Sequence, residues 1–588
     1  MVNQIQQLAR YKFAIVLFLC LTGFSTIVNN SNVLGLLFLL IFSTLNHTSF
    51  TYPRNIAVKL LLFCTVSGLS YLFTLSNSHR YMIGILLIIG FHVFSKKWKL
   101  TLSSTKYFDA IIIIVQIFYL IVRSFPERFL QFLIFGYDNA FHFSLFRIYM
   151  TAETYPSVSA NNWPTDFELF RNYPGGFYAV SSFLSSIFVG DTEDPIRLLS
   201  AYFLIVTLTC FGILVVSVLA ITSKHGIVKF SKRHLIVVLP LIASVGILLT
   251  NGYPPYLYSL LILLLLMIVL AGDLKLGNTI LWISIGLHLT LISQPLVAMN
   301  LIAPFLFAAG YFVMTIFRGS IVPKDFRSFA LGCILGFITF KMVSGTSENF
   351  GISTLKEPGA GQSLSIQYWV IQLILLIFVL YASFSKKLPL FTYMILISTL
   401  FPLLFLISLT FMDDGSIGYY AMKQGYIWSF LLNIAALITY ENNRNPSSIL
   451  VKDKNRANKF LISLLVVGAL VGTSTPRGFN GAFMGTLENV IGASIGSKLE
   501  WKMSGLDAQK VLIAARRAKP YKSDCFVYRS NQNYSDLGSR WLNSLSKNKV
   551  SNACFGVYWN SDSISAQDIK QRIIDSKLNV KIIGTMDQ

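Results

Sequence analysis

The stretch Gly136-Tyr137-Asp138-Asn139-Ala140-Phe141-His142-Phe143-Ser144-Leu145-Phe146-Arg147 follows an apolar run and opens a long loop in a chain dominated by apolar runs. An acid, an imidazole and a guanidinium fall at i, i+4 and i+9. On a helix, positions i and i+4 share a face, so Asp138 and His142 would point the same way, with Arg147 roughly one and a half turns beyond. Ionisable groups at a membrane surface are costly to desolvate and mark functional sites by default. The bland alternative is an amphipathic interfacial helix with incidental polar residues.

Composition sets the context of that stretch. The chain has 588 residues, 54% of them hydrophobic, with 48 Phe and a mean hydropathy of +0.61. That is too apolar for a soluble protein of this size, and the apolar residues come in runs long enough to cross a bilayer. The formal net charge of +22 does not point to nucleic acid. The Lys and Arg sit mainly in short loops and in the C-terminal segment, where anionic lipid and the positive-inside bias account for them. Cys20, Cys64, Cys210 and Cys333 lie in apolar runs without metal spacing and read as small core residues. Cys525 and Cys554 lie in a polar tail and would be able to pair outside the cell.

Apolar runs near 13–29, 33–50, 57–75 and 81–95 precede Lys96, Lys97, Lys99 and Lys106, and a fifth run covers 107–123. The basic start (Arg10, Lys12) belongs in the cytoplasm. Four crossings return the chain to the cytoplasm at the lysine cluster, and the fifth delivers Asp138 outside. The run Gly176 to Val189 is short of the roughly twenty residues a span needs. Were it to cross, every later basic loop would face outward. It is therefore predicted to lie in the outer leaflet. Further spans are predicted near 197–221, 234–251, 254–271, 276–293, 296–317, 327–343, 366–384, 388–411, 418–440 and 458–474. The fold class is thus a polytopic α-helical membrane protein. About fifteen transmembrane helices are expected, with juxtamembrane helices in the first large external loop and a small C-terminal α/β extracytoplasmic domain. The divisions are 1–106, N-terminal transmembrane helices; 107–474, a membrane region with its external loop at 124–196; and 475–588, the tail.

Asp-x-x-x-His just outside a span, followed some thirty residues later by Tyr173-Pro174-Gly175-Gly176 at the start of an apolar helix, resembles the first external loop of GT-C fold glycosyltransferases. The resemblance covers residues 108–220 best. It implies an integral enzyme of the bacterial plasma membrane that takes sugar from a polyprenyl phosphate on the outer face. The acceptor would be an envelope glycan or a lipid-linked molecule, with membrane lipid as the other partner. Many members carry a second acid beside the first; here that neighbour is Asn139, so no acidic pair is at hand for a metal. Neither a metal nor a cofactor is implied.

A polyprenyl-phosphate sugar already carries a good leaving group. The enzyme must remove a proton from the acceptor hydroxyl and hold and neutralise the lipid phosphate. A carboxylate suits the first task and Arg or Lys the second. The resemblance implies Asp138 as general base; the plain reading is a helix cap, and the two are compatible. His142 reads as positioning or donating rather than metal-ligating, since no second His stands at ligand spacing. Arg147 and Arg171, the latter just before Tyr173, are candidate phosphate ligands, and Lys341 is another.

A second constellation is Asp413-Asp414-Gly415-Ser416-Ile417-Gly418-Tyr419-Tyr420-Ala421-Met422-Lys423-Gln424. Lys423 faces Tyr419 at i+4. A lysine about a turn inside the outer boundary suits a lipid phosphate, and Tyr419 and Tyr420 suit prenyl or sugar stacking. Asp413 or Asp414 would bind acceptor. The plain reading is an interfacial aromatic belt with a snorkelling lysine and solvated acids. His47, His92 and His288 read as hydrogen-bonded structural residues. A transporter or flippase of lipid-linked glycans is the rival reading, but it would carry ionisable groups at mid-span. A glycan polymerase or ligase would share most of these features.

In the tail, Asp507 to Ala518 is predicted helical. Cys525 to Arg529, Phe555 to Trp559 and Val580 to Gly584 are predicted strands, with helices near 535–547 and 564–577 between them. That alternation suggests a largely parallel sheet, with Cys525 and Cys554 on adjacent strands. No Gly-rich phosphate loop is present.

Overall fold

A computed structural model describes residues 31–94, 98–100, 115–133, 138–159, 163, 168–222, 253–270, 276–318, 323–343, 366–384, 390–411, 419–444, 463, 508–530, 533–546 and 551–584, apart from 49, 116, 119, 153, 191, 560, 562 and 563. The described residues are about 83% helical, in 20 helices, and the strands among them form two small sheets. The predicted runs 13–29, 234–251 and, but for residue 463, 458–474 lie outside the described residues, as do Asp413 and Asp414.

The first part comprises α1 (Ser31–Thr44), α2 (Tyr52–Ser70) and α3 (Asn77–Phe94). Two short strands, β1 (Leu45–His47) and β2 (Trp98–Leu100), pair antiparallel beyond the ends of α1 and α3. The loop region holds α4 (Pro126–Leu133), α5 (Asn139–Ala152), α6 (Pro156–Ser159), α7 (Glu168–Asn172) and α8 (Gly176–Val189). Then come α9 (Pro195–Thr222), α10 (Pro254–Leu270), α11 (Leu276–Leu291), α12 (Pro295–Phe317), α13 (Pro323–Val343), α14 (Ile366–Phe384), α15 (Leu390–Phe411) and α16 (Tyr419–Arg444). Six of these helices (α4, α6, α9, α10, α12 and α13) begin at a proline. Proline's fixed φ suits the first helical turn, where its missing N–H costs nothing.

Helix α10 is apolar all round and almost wholly buried. It packs against α2, α9 and α11 as the centre of the bundle. Its tyrosines and serine sit toward the N-terminal end. The outer helices differ. Phe317 on α12, Tyr381 on α14 and Phe401 on α15 are 86%, 77% and 72% exposed. Phe307 on α12, Phe337 on α13 and Ile377 on α14 are exposed as well, so α12, α13, α14 and α15 each carry large apolar side chains on the outside. Among the described residues, two helices, Pro195–Ser217 within α9 and Pro295–Phe317, are long and apolar enough to cross a membrane by length and composition. Shorter apolar segments occur in α1, α8, α10, α11, α13, α14 and α15.

Helix α8 is held at both ends. At its start, Gly176 N–H donates to Ile292 O at 2.7 Å, just beyond α11. Near its end, Tyr81 Oη donates to Phe183 O at 3.0 Å and meets Ser186, while Ile187 packs on Gly35. Gly35 and Tyr81 lie at the start of the second turn of α1 and of α3.

The tail comprises α17 (Ala508–Ala518), β3 (Cys525–Ser530), β4 (Asn533–Ser535), α18 (Asp536–Ser546), α19 (Asn552–Tyr558), α20 (Ala566–Ser576) and β5 (Val580–Gly584). The sheet order is β4-β3-β5, with β3 and β5 parallel and β3 and β4 antiparallel. The predicted strand at Phe555 to Trp559 is instead helix α19. Cys554, Val557 and Tyr558 are buried together, a helical spacing that outweighs the β-propensity of so short a run. Cys525 and Cys554 form a disulfide with α-carbons 5.3 Å apart, joining β3 to a helix rather than to a strand. The loop it closes spans 29 residues, for which chain entropy gives about 3.6 kcal/mol. Cys554→Ser should therefore lower the tail's unfolding temperature in the purified full-length protein, and reductant should do the same to the unmutated chain. An unchanged tail transition in both would contradict this.

Candidate functional site

Helix α5 begins one residue after Asp138, whose carbonyl accepts His142 N–H at 3.0 Å. Asp138 is half-buried at this helix start. One turn on, His142 is buried, and its Nδ1 is 2.5 Å from Tyr178 Oη on α8. Its ring lies among Phe141, Tyr173 and Tyr178. The spacing does bring Asp138 and His142 to one end of one helix.

Asn139 has a different task. Its Nδ2 donates to Leu133 O at 2.8 Å, at the end of α4, and its Oδ1 accepts from Tyr202 Oη at 3.4 Å. A carboxylate at 139 would be unable to donate to that carbonyl. The amide therefore fixes the entry into α5, which sets the position of Asp138.

The second constellation arrives at the same place. Lys423, on the second turn of α16, is only 7% exposed. Its Nζ sits 3.8 Å from the Tyr253 ring centroid, 5.0 Å from Tyr256 and 5.6 Å from Tyr420. Such a cage stabilises an ammonium by cation–π attraction. The Lys423 ammonium also lies within electrostatic reach of the Asp138 carboxylate. Tyr173 lies within electrostatic reach of Asp138 and of Tyr420. Burial, the Asp138 carboxylate and Tyr420 push its phenol well above the ordinary range. Tyr173 therefore stays neutral and keeps a proton to donate. Gln424 is fixed to Asn300 on α12, and Gly425 lets Trp369 of α14 close on α16.

Arg147 takes another direction. It is buried and donates to Ser544 O on α18. Desolvation pushes its guanidinium down to about 10, opposed by Glu193, so it stays protonated at neutral pH. Around it, Ser544 Oγ donates to Ala140 O at 3.1 Å and meets Ser144 Oγ at 2.6 Å. Trp541 stacks on Phe143 with centroids 5.8 Å apart. The tail helix is thus joined to the helix that follows Asp138, and Arg147 is part of that joint.

Arg171 is half-buried in the last turn of α7, two residues before Tyr173. Tyr419 is the first residue of α16, and Lys341 stands in the last turn of α13. His288 Nδ1 is 2.7 Å from Thr339 Oγ1, a structural link between α11 and α13. His47 lies in β1, its ring stacked on Phe50. Among the described residues, no group of three or more His, Cys, Asp and Glu converges.

The two glycines of the Tyr173-Pro174-Gly175-Gly176 turn have steric reasons. A Cβ at Gly175 would collide with the Tyr149 hydroxyl, and one at Gly176 with Ile292 and Ser293. Sequence reasoning missed Tyr178, Tyr253 and Tyr256. Tyr253 and Tyr256 flank Pro254-Pro255, and tyrosines at an apolar helix start were the available signal. No family model, curated protein or solved structure matches the chain.

Proposed function

We propose that the chain is a membrane glycosyltransferase that takes sugar from a polyprenyl phosphate at the outer face of the plasma membrane. Asp138 removes the acceptor's proton. Lys423 holds the departing lipid phosphate, and Tyr173 donates a hydrogen bond between them. His142, fixed by Tyr178, orients the start of α5. The transfer inverts the anomeric centre: the acceptor oxygen attacks, the bond to the phosphate oxygen breaks, and the proton goes to Asp138. The observation that carries this reading is the convergence of Asp138, Tyr173, Tyr420 and Lys423. They come from two motifs nearly three hundred residues apart, and together they supply a base, a neutral donor and a caged cation.

The membrane reading, with about fifteen spans, draws support from the large apolar side chains that α12–α15 carry on the outside. It also draws support from sidedness. Tyr155 N–H donates to Tyr71 O at 3.2 Å and Gly176 N–H to Ile292 O, and Lys423 meets Tyr253; each contact joins two ends assigned to the outside. β1 pairs with β2, both assigned to the cytoplasm. Both ends of α8 touch external ends of other helices, in keeping with a helix of the outer leaflet. The Cys525–Cys554 disulfide suits an oxidising compartment for the tail.

A transporter would need ionisable groups along its path at mid-span. In helices α9 to α16, Asp and Glu occur only at Asp325 and Glu441, both near helix ends. The deciding experiment is transfer by the purified protein from a panel of polyprenyl-phosphate sugars to envelope glycan acceptors. Transport of the lipid-linked sugar across vesicles without transfer would overturn the proposal. Topology has its own check. Single cysteines at Ser157 and Ser551 should react with an impermeant probe from outside, and one at Ser231 only from inside. External labelling at Ser231 would make α8 a full crossing.

A further inference from the structure

We propose that the C-terminal tail positions the general base: α18 backs α5 from the side opposite the site, and Arg147 is the positioning residue that fixes the two helices in register. The role of Asp138 is that of the transferase reading, on which this inference rests. Successive residues of an α-helix are turned by about 100°. Asp138, His142 and Tyr149 therefore share one side of α5, the side of α8. There His142 Nδ1 is 2.5 Å from Tyr178 Oη, and Tyr149 stacks on Tyr178. Ala140, Phe143, Ser144 and Arg147 stand at i, i+3, i+4 and i+7 and form the opposite stripe.

All four residues of that stripe are buried and meet α18. Ala140 O accepts from Ser544 Oγ at 3.1 Å, only two residues after Asp138. Phe143 stacks on Trp541 with centroids 5.8 Å apart. Ser144 Oγ is 2.6 Å from Ser544 Oγ, and Arg147 donates to Ser544 O. An apolar contact tolerates a small slide of one helix along another. A guanidinium aimed at one carbonyl does not, because a charged hydrogen bond is directional and a buried charge without its partners is costly. The joint therefore sets the register of α5, and with it the place of its first turn.

Helix α18 is itself held from another face. Asn543 Oδ1 accepts Phe526 N–H at 3.0 Å, and its Nδ2 donates to Phe526 O at 2.6 Å. Ser539 Oγ accepts Tyr528 N–H at 2.9 Å. These contacts fasten α18 along β3. Arg540 pairs with Asp536 at 2.8 Å and lies 4.6 Å from the Trp559 ring centroid, at the end of α19. The Cys525–Cys554 disulfide joins α19 to β3 in turn. Helix α17 packs on α18 and also on α4, whose last residue, Leu133, accepts from Asn139 Nδ2. The tail thus meets both helices that flank Asp138, one on either side of it in the chain.

The test uses purified full-length protein and the polyprenyl-phosphate sugar that the unmutated chain accepts. Ser144→Cys with Ser544→Cys places two thiols where the hydroxyls are 2.6 Å apart. Mild oxidation should join them, as read by mass spectrometry of the linked peptides. The linked protein should keep its turnover, because the link holds the arrangement already present. Arg147→Met should lower kcat about 10–100-fold, the scale on which a small misplacement of a reacting group acts, and leave the donor KM unmoved. Arg147→Lys, which keeps a cation and a donor, should keep most of the activity. Closing the engineered link in the Arg147→Met chain should restore most of the lost kcat. That rescue separates positioning from general loss of stability and keeps the test decisive if Arg147→Met alone folds poorly. Failure of the two cysteines to link would overturn the proposal, as would a tenfold fall in turnover on linking. A raised donor KM with kcat unchanged in Arg147→Met would also overturn it and return Arg147 to the phosphate. If the unmutated chain transfers and Arg147→Met keeps its kcat, only this inference falls. If the unmutated chain transfers no sugar, the transferase reading falls and takes the inference with it.

Discussion

Asp138→Asn should lower turnover by about two to four orders of magnitude, the usual contribution of a positioned general base, with donor affinity retained. The substitution separates the two readings of this residue. Asn caps a helix about as well as Asp. The backbone contact from Asp138 O to His142 N–H is also untouched by the change. If Asp138 only capped α5, the variant would be nearly silent. Loss of turnover with an unchanged unfolding temperature therefore assigns the carboxylate to chemistry. Donor binding survives because the amide removes a negative charge facing the phosphate. It also leaves the Lys423 cation, now without the Asp138 carboxylate, to the phosphate alone. The measurement is a transfer time course with purified protein, paired with a donor-binding titration. Near-normal turnover would sink the assignment, and Asp413 and Asp414 would be examined next.

The architecture was legible where one physical rule dominates. Apolar runs bounded by proline or polar turns became helices close to their predicted limits, as at 366–384 and 254–271. The Asp138–His142 spacing was likewise local, and α5 starts where it must for both to sit at one end. What the sequence hid was set by long-range packing. Arg147 reads as a phosphate ligand beside Asp138, and it donates to Ser544 O, 397 residues away. Nothing in local spacing announces that contact. The cage of Tyr253 and Tyr256 around Lys423 is equally non-local. Each tyrosine alone reads as an interfacial aromatic, and only the meeting of the start of α10 with Lys423 of α16 gathers their rings around one ammonium. In the tail, a five-residue run was too short for its period to be decided by propensity. The pattern Cys554, Val557, Tyr558 contained the answer, since those positions share a helical face.

Lys423→Met should weaken donor binding about 10–150-fold, with a smaller effect on turnover at saturating donor. The range is that of one charge-assisted contact, about 1.5–3 kcal/mol, at about 1.4 kcal/mol per factor of ten. Methionine keeps the length and apolar stem, so the cavity and steric costs of a smaller residue are avoided. Two effects must be told apart. Lys423 sits in an aromatic cage, and losing cation–π attraction costs stability, about 0.5–2 kcal/mol. That loss lowers the unfolding temperature of the free protein but does not discriminate between donors. Loss of a phosphate ligand behaves differently. It weakens a polyprenyl-phosphate sugar and the bare polyprenyl phosphate by the same factor, because both present the same group. It leaves a neutral polyprenol unaffected. Asp138 sharpens the comparison. Its carboxylate faces the same ammonium, so in the Asp138→Asn background the Lys423→Met substitution removes a cation committed to the phosphate alone. The donor penalty should then be larger than in the unmutated chain, a coupling that a purely structural lysine would not show. If Lys423→Met leaves donor affinity unmoved while Arg171→Gln raises the dissociation constant, the phosphate lies at the end of α7, and Lys423 serves to hold the outer end of α16 against α10.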